Sequence, residues 1–393
     1  MKKILISTLG PLGGNYGGLL QPYALQKVLR DMGYDVTTDD RIIPVRTFRN
    51  RLGGIKRFVN MTIFKNAPSH IDVSTVPEFA VYTKSFVERT MQTVDLLSGK
   101  RRPRASDVEQ YDIFVTGSDQ VWRANYTDVS MQLFDYVLHD SAVKLSYAAS
   151  FGTDDLSSYN ARLTAETKLL AQKFSGLSVR EDSGVKLAAE LWGVKAEHHI
   201  DPTLLLSADD YAGLIMTSPT VLKQSPGKLF VYVLDESETS EKIVNKAAAT
   251  LGLKAFELLP EKFLSRKELK THPEKYALPP IEQWLKSFQD AEFVITDSFH
   301  GCAFSIIFNK PFIAIGNRQR GMARFTSLLK LFGLEDRLVA DASEVTEELL
   351  KSKIDWKKVN EKIKSEQVRS FNYLSKHLNN PKEDKDREDH GKN

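Results

Sequence analysis

The chain has a single cysteine, Cys302, in 393 residues. That excludes an internal disulfide and any structural zinc site built on cysteine, and it fits a reducing compartment. Long apolar runs are also missing: nothing approaches the roughly 20 residues that a membrane-spanning helix needs. The opening Met1-Lys2-Lys3-Ile4-Leu5-Ile6-Ser7 starts like a secretory leader, but its apolar run stops after three residues and meets Gly10 and Pro11. A leader's core takes about 7–15, so the segment reads as a buried first strand, and the expected location is cytoplasmic. Net charge is small, with 54 Lys and Arg against 51 Asp and Glu for a formal +3. A nucleic-acid footprint would therefore need a local patch. There is no internal repeat and no low-complexity stretch. With 41% hydrophobic and 27% charged residues, the composition is that of a globular protein and excludes disorder along the whole chain. At about 150 residues per domain, the length is enough for two or three domains.

Charge is unevenly placed. From Arg41 to Arg104 there are thirteen basic and four acidic residues. Arg46, Arg49, Arg51, Lys56 and Arg57 are interleaved with Ile55, Phe58, Val59, Met61, Ile63 and Phe64, and Lys100, Arg101, Arg102 and Arg104 form a second cluster. Two readings stand ahead of nucleic acid, which is not expected as a partner: a solvated loop and helix face, or a surface that docks on an anionic membrane or a diphosphate-bearing lipid.

Elsewhere short apolar runs alternate with helical periodicity. Lys3–Thr8, Tyr34–Thr37, Tyr111–Thr116 and Lys144–Ala148 read as strands, and a helix spans Leu20 to Met32 with Gly33 at its end. A second series begins near Ser175, with strands at Gly176–Val179, His199–Asp201, Lys228–Leu234, Glu257–Leu259, Glu292–Thr296 and Pro311–Ile315. Helices are expected at Glu181–Leu191, Glu238–Leu251, Ile281–Phe288, Gly301–Phe308 and Met322–Phe332. Two such series predict an α/β protein of two Rossmann-like, doubly wound domains facing a cleft. The expected division is a first domain over 1–174 carrying the basic insertion 41–105, and a second over 175–342. Helices over 343–378 would pack across both, and 379–393, charged and without apolar residues, is expected to be disordered.

Ligands of open α/β sheets bind beyond the carboxyl ends of the strands, and the chemistry-bearing residues cluster there. Gly10 to Gly18 lies between a strand and a helix, where glycines let backbone amides approach an anion. Its spacing is not that of a dinucleotide fingerprint, and a tight turn without ligand is the alternative. Asn15 and Gln21 offer hydrogen bonds of the kind sugar hydroxyls take. Gly117-Ser118-Asp119-Gln120-Val121-Trp122-Arg123 follows a strand and suits a sugar, with carboxylate, amide and aromatic platform. Alternatively, Asp119 caps a helix and Trp122 is core. Thr296-Asp297-Ser298-Phe299-His300-Gly301 enters a helix with Asp297 or Ser298 as cap. His300 then sits at the positive helix end, which disfavours imidazolium and favours a bound anion. An anion there lets His300 keep a proton for catalysis. Arg318, Arg320 and Arg324 follow another strand, and Arg180 ends Ser178-Val179. Arginine is the preferred planar donor to phosphate and carboxylate, whereas surface solvation is the alternative for Arg324. Cys302 reads as a small buried residue. No His, Asp or Glu spacing suggests a metal, and His198 and His199 face opposite ways if they lie in a strand.

Together these segments resemble the polysaccharide pyruvyl transferase family from about residue 4 to residue 335. The resemblance rests on Gly14-Asn-Tyr-Gly-Gly-Leu-Leu-Gln21, Gly117-Ser-Asp-Gln-Val-Trp122, Ser178-Val-Arg-Glu-Asp182, Asp201-Pro-Thr203 and Asp297-Ser-Phe-His-Gly301. Any one is weak, but five in order are specific, and the chain looks most like the bacterial capsule and exopolysaccharide branch. The resemblance implies a GT-B arrangement of the two domains and phosphoenolpyruvate as co-substrate; no other cofactor is expected. It also implies formation of a pyruvate ketal on two hydroxyls of a sugar, often held on a polyprenyl diphosphate, with release of phosphate. The family's catalytic histidine falls on His300, its Ser-Val-Arg arginine on Arg180, and a basic donor-side position on Arg320. Many members have Arg-Leu-His where this chain has Ser298-Phe299-His300, so Arg318 or Arg320 would supply the missing charge. Donor binding is thus expected from Arg320, Arg318 and Ser298, and acceptor binding from Asn15, Gln21, Asp119 and Trp122. A nucleotide-sugar glycosyltransferase and a non-catalytic glycan-binding relative are the alternatives.

Overall fold

A computed structural model of the chain describes residues 1–41, 80–97, 102–139, 141–258, 271, 276–316 and 322–379. Most of the basic insertion, the pair Arg318 and Arg320, and the charged tail from residue 380 lie outside the described residues. The first part runs β1 (Lys3–Ser7), α1 (Tyr16–Asp31), β2 (Asp35–Asp39), α2 (Val81–Thr90), β3 (Thr93–Val94), β4 (Ile113–Thr116), α3 (Val129–Gln132) and β5 (Val143–Ser146). It continues through α4 (Ala161–Ala171), β6 (Leu177–Val179), α5 (Asp182–Trp192) and β7 (Ala196–His198). The strands pair in parallel in the order β3-β2-β1-β4-β5, which reverses direction at β1 and β4 as a doubly wound sheet does. Helix α1 begins where the Asn15 side chain accepts from the Gly18 amide. It buries Leu19, Leu20, Ala24, Leu25, Val28 and Leu29 along one side, and Gly33, at φ 92°, adopts the left-handed conformation that lets the chain turn back.

The boundary expected at 174/175 falls inside this first sheet. Beyond β5 the Ser146 amide donates to Gly176 O at 3.1 Å, the Ala149 amide to Ser178 O at 3.1 Å and the Arg180 amide to Ala149 O at 2.9 Å. Strand β6 thus continues the sheet, and β7 pairs with it in parallel. Arg180, expected on the second sheet with His300, ends a strand of the first. Alternating periodicity gives each strand but not the sheet it joins.

The second part runs α6 (Ala208–Met216), β8 (Leu229–Tyr232), α7 (Glu238–Leu251), β9 (Ala255–Glu257), α8 (Ile281–Asp290), β10 (Phe293–Thr296) and α9 (Phe299–Ile307). It ends with β11 (Phe312–Ile315), α10 (Met322–Phe332), β12 (Leu338–Val339), α11 (Glu347–Lys351) and α12 (Trp356–Asn379). Its parallel order, β12-β11-β10-β8-β9, is doubly wound in the flavodoxin manner, with the reversal between β8 and β10. One apolar cluster is shared by the two parts. Tyr16 of α1 stacks on Trp284 of α8 with ring centroids 5.1 Å apart, and its hydroxyl donates to Pro279 O at 3.0 Å. Two doubly wound domains therefore meet with their reversal points toward each other, the GT-B arrangement.

Helix α12 returns to the first sheet. The Tyr373 hydroxyl donates to Ser146 O at 2.9 Å, Gln367 to Leu204 O at 2.9 Å, and Ser370 Oγ lies 3.0 Å from His199 Nδ1. His198 turns the other way, its Nε2 3.0 Å from Arg180 O. The His199 side chain is fully buried. Burial first, then the Arg369 charge, push His199 down to about 4 against the opposing pull of Glu197. The unfolded chain, with an ordinary histidine near 6.5, then binds more protons than the folded one between those values. Stability is fully present above about pH 6.5 and falls as pH drops toward 4. The expected loss between pH 7.5 and pH 5 is on the order of 2 kcal/mol. Urea unfolding of the native chain and of His199→Gln at pH 7.5 and 5 measures it, with the pH-dependence smaller in the variant.

Candidate active site

Both reversal points carry candidate site segments at their carboxyl ends: the Gly10–Gly18 loop after β1 and Gly117–Arg123 after β4, facing Asp297–His300 after β10. Asp297, expected from sequence as one of two candidate caps of α9, does not cap it. Its two carboxylate oxygens accept from the Leu234 amide at 2.7 Å and the Asp235 amide at 2.8 Å, tying the turn after β8 to the turn after β10. Ser298 stands at the N-cap position with its side chain not capping the helix, and its amide donates to Thr296 Oγ1 at 3.0 Å. His300 follows in the first turn of α9, 7% exposed.

His300 lies directly against the first turn of α1. A Cβ placed on Gly17 would sit 2.0 Å from His300 Nδ1 and 2.2 Å from its Cγ. Only a residue without a side chain lets the imidazole in, which gives the glycine pair Gly17-Gly18 a physical reason at its first member. The N-terminal turns of α1 and α9 thus meet at one ring, and both helix ends favour negative charge.

The other ring nitrogen, Nε2, is buried and without a hydrogen bond, 3.7 Å from Asp201 Oδ2. Asp201 follows β7 and starts a short 3-10 turn, Pro202–Leu205, not the strand expected over His199–Asp201. The same Oδ2 accepts from Arg180 Nη1 at 2.9 Å and from Ser118 Oγ at 3.0 Å, while Oδ1 accepts from the Thr203 amide at 3.0 Å and its hydroxyl at 2.8 Å. Burial works to raise this carboxyl. The charge of His300, then Arg180 and the Thr203 amide, outweigh it and hold Asp201 well below the usual carboxylate range.

Arg180 is therefore beside His300, although the two come from different sheets. Its side chain is 1% exposed. Nη2 lies 3.4 Å from Asp119 Oδ1, Nε 3.5 Å from Glu181 Oε1, and the Phe299 ring centre is 4.3 Å from Cζ. Burial acts to depress the guanidinium, but Glu181, Asp201 and Asp119 more than compensate and raise it. Arg324 of α10 is buried near this group. Burial, then the charge of Arg180, lower it to about 10, against Asp119 and Glu181. Glu181 is itself raised by burial, with Arg180 and the Ser150 hydroxyl opposing. Two arginines thus share three carboxylates, and the described part of the site carries no excess of fixed positive charge.

The acceptor residues separate. Asp119, at φ 76°, holds a backbone conformation that costs a non-glycine residue on the order of 1 kcal/mol, and its carboxylate reaches Arg180 instead of capping a helix. Asn15 is exposed at the N-cap of α1. Gln21 and Trp122, expected to touch a sugar, are both 0% exposed. Gln21 donates to Thr8 Oγ1 at 2.7 Å, and Thr8 donates to Ser118 O at 2.9 Å, so it holds the turn beneath Asp201. Trp122 packs edge-on against Trp192 at 4.9 Å and beside Phe151 at 5.3 Å, a place in the core. Cys302 is buried, and burial pushes its thiol well up, as suits an inert residue. Sequence reasoning assigned no role to Ser118, Glu181, Asp201 or Phe299. All four stand within the five family segments, and that was their only signal.

Among the described residues no helix is long and apolar enough to cross a membrane, and no three His, Cys, Asp or Glu side chains stand together as metal ligands. In the basic segment, Arg41 is buried against Asp39 at 2.7 Å, Arg89 pairs with Glu282, and Arg102 reaches Asp135 at 2.7 Å. Those three charges are spent within the molecule.

None of the curated proteins matches the chain. Among solved structures, it is similar to a putative UDP-N-acetylglucosamine 2-epimerase from Listeria monocytogenes, at 10% identity and TM-score 0.49, over 96% of this chain and 97% of that one. It is also similar to the UDP-GlcNAc 2-epimerase of Methanocaldococcus jannaschii in complex with UDP-GlcNAc and UDP, at 13% identity and TM-score 0.48, over 95% and 100%. The family model for polysaccharide pyruvyl transferase matches residues 15–319, a span that takes in all the turns gathered around His300, and the chain belongs to the polysaccharide pyruvyl transferase family.

Proposed function

We propose that the protein transfers the pyruvyl group of phosphoenolpyruvate to two hydroxyls of a sugar, forming a ketal and releasing phosphate, in the making of a cell-surface polysaccharide. The observation that carries this reading is the placing of His300 at the joined N-termini of α1 and α9, a setting suited to a small phosphorylated anion. Protonation of the enol methylene by His300 would leave an oxocarbenium-like centre at C2. One sugar hydroxyl attacks C2, phosphate leaves with the C–O electron pair, and the second hydroxyl closes the ketal. Of the two hydroxyl protons released, one restores His300 and the other leaves with phosphate or solvent. His300 is the group that meets the donor. Arg180, enclosed by three carboxylates, supports the site from behind, and Ser298 and the positive charge of Arg318 and Arg320 serve the donor. Asp119 and Asn15 are the residues left to orient the acceptor.

The sugar is taken to be carried on a polyprenyl diphosphate at the inner face of a membrane, with the basic, apolar-interleaved stretch from Arg46 to Phe64 toward the anionic surface. The reading is tested by incubating the purified chain with phosphoenolpyruvate and candidate sugars, free and polyprenyl-linked, and weighing the products. The expected result is phosphate release coupled to a product heavier by one pyruvate ketal. Turnover of a nucleotide-sugar with no response to phosphoenolpyruvate overturns it.

A further inference from the structure

The Asp201 carboxylate connects the two domains at the site. It starts the turn after the last strand of the first sheet, it is fully buried, and one of its oxygens faces the His300 ring carried by the second. Resting on the proposed reaction, we infer that Asp201 is the positioning residue of His300: it takes the Nε2 side of the imidazole and leaves Nδ1, at the Gly17 turn, as the atom that works on the donor.

Three observations converge on this. Nε2 is buried without a hydrogen bond and is 3.7 Å from Asp201 Oδ2, longer than a hydrogen bond and of the kind that tightens when a substrate closes the cleft. Nδ1 lies instead beside Gly17, in the first turn of α1. Asp201 cannot swing away to serve another purpose, because Thr203 holds Oδ1 through both its amide and its hydroxyl while Arg180 and Ser118 hold Oδ2. A carboxylate fixed on one nitrogen sets the tautomer of the ring and steadies the imidazolium, as in other base–carboxylate pairs. Other charges around it are Arg180, which shares Oδ2, and, around Arg180, Asp119, Glu181 and Arg324. No carboxylate but Asp201 is within ion-pair distance of the ring among the described residues.

The first test reads the native chain and needs no donor. The full-length chain labelled with 15N-histidine, with His300 assigned by its loss in His300→Gln, should show neutral His300 protonated at Nε2; protonation at Nδ1 overturns the inference. The second test uses Asp201→Asn, with folding checked by circular dichroism. The expected outcome is a kcat for phosphate release lower by about 10²-fold, a KM for phosphoenolpyruvate changed severalfold at most, and an alkaline limb of the pH–rate profile moved to lower pH. A folded variant with native kcat and an unmoved limb sinks the inference and leaves the proposed reaction standing. A native chain that has the Nε2–H tautomer but never turns over phosphoenolpyruvate sinks the reaction and leaves the pairing.

Discussion

His300→Ala should lower phosphate release from phosphoenolpyruvate and acceptor by about 10²–10⁴-fold, the range general acid–base help supplies. The loss should fall on kcat more than on KM, because the helix N-termini that favour the anion remain when the ring is removed. The fold should survive the change. Arg180 stays 2.9 Å from the Asp201 carboxylate, so that charge is not stranded, and the void left beside Gly17 is no larger than one imidazole. A modest fall in melting temperature with the cooperative transition intact is expected. Release at near-native rates from a folded His300→Ala would show that the proton comes from elsewhere, and the role assigned to His300 would be wrong. Residual activity restored by added imidazole would support it, since the cavity lies where the ring was.

Much of the architecture was legible because strands buried on both faces read as short apolar runs, and β1, β4, β8, β10 and β11 all have them. Helices α2, α3, α4 and α6 were not. In α4 only Thr167 and Ala171 are buried, and in α6 only Tyr211 and Leu214, so neither shows an apolar stripe of the width that periodicity detects. The site was legible at its strand ends but not in its connections. Asp201 and His300 are 99 positions apart, and Arg180 sits on the first sheet only because of backbone bonds to Ala149 that no local pattern records. Trp122 and Gln21 were misplaced for the opposite reason. Polar and aromatic residues beside a strand end look like ligand contacts, and only packing shows that one fills the space by Trp192 while the other ties Thr8 to the turn above it.

Gly17→Ala sets local preference against packing, with opposite signs. In the first turn of a helix alanine is favoured over glycine, which alone would stabilise α1 by about 0.5–1 kcal/mol. The added methyl, however, would lie 2.0 Å from His300 Nδ1 and 2.7 Å from its Cβ. The ring cannot yield cheaply, since it is anchored at the first turn of α9 with Asp201 behind it. Either His300 rotates off its position or the two domains part slightly at the α1–α9 contact. A displacement of about 1 Å at the reacting group costs on the order of 10²-fold in rate, so kcat for phosphate release should fall by that factor and the melting temperature should drop. Gly213→Ala is the control: it too lies in a helix, α6, and nothing stands within 4 Å of the new methyl. Here propensity acts alone, so stability should rise by about 0.5–1 kcal/mol with turnover unchanged. If both alanines behave alike, the contact between His300 and the glycine turn does not set the geometry of the site, and the tight fit of the imidazole is not what requires a glycine at position 17.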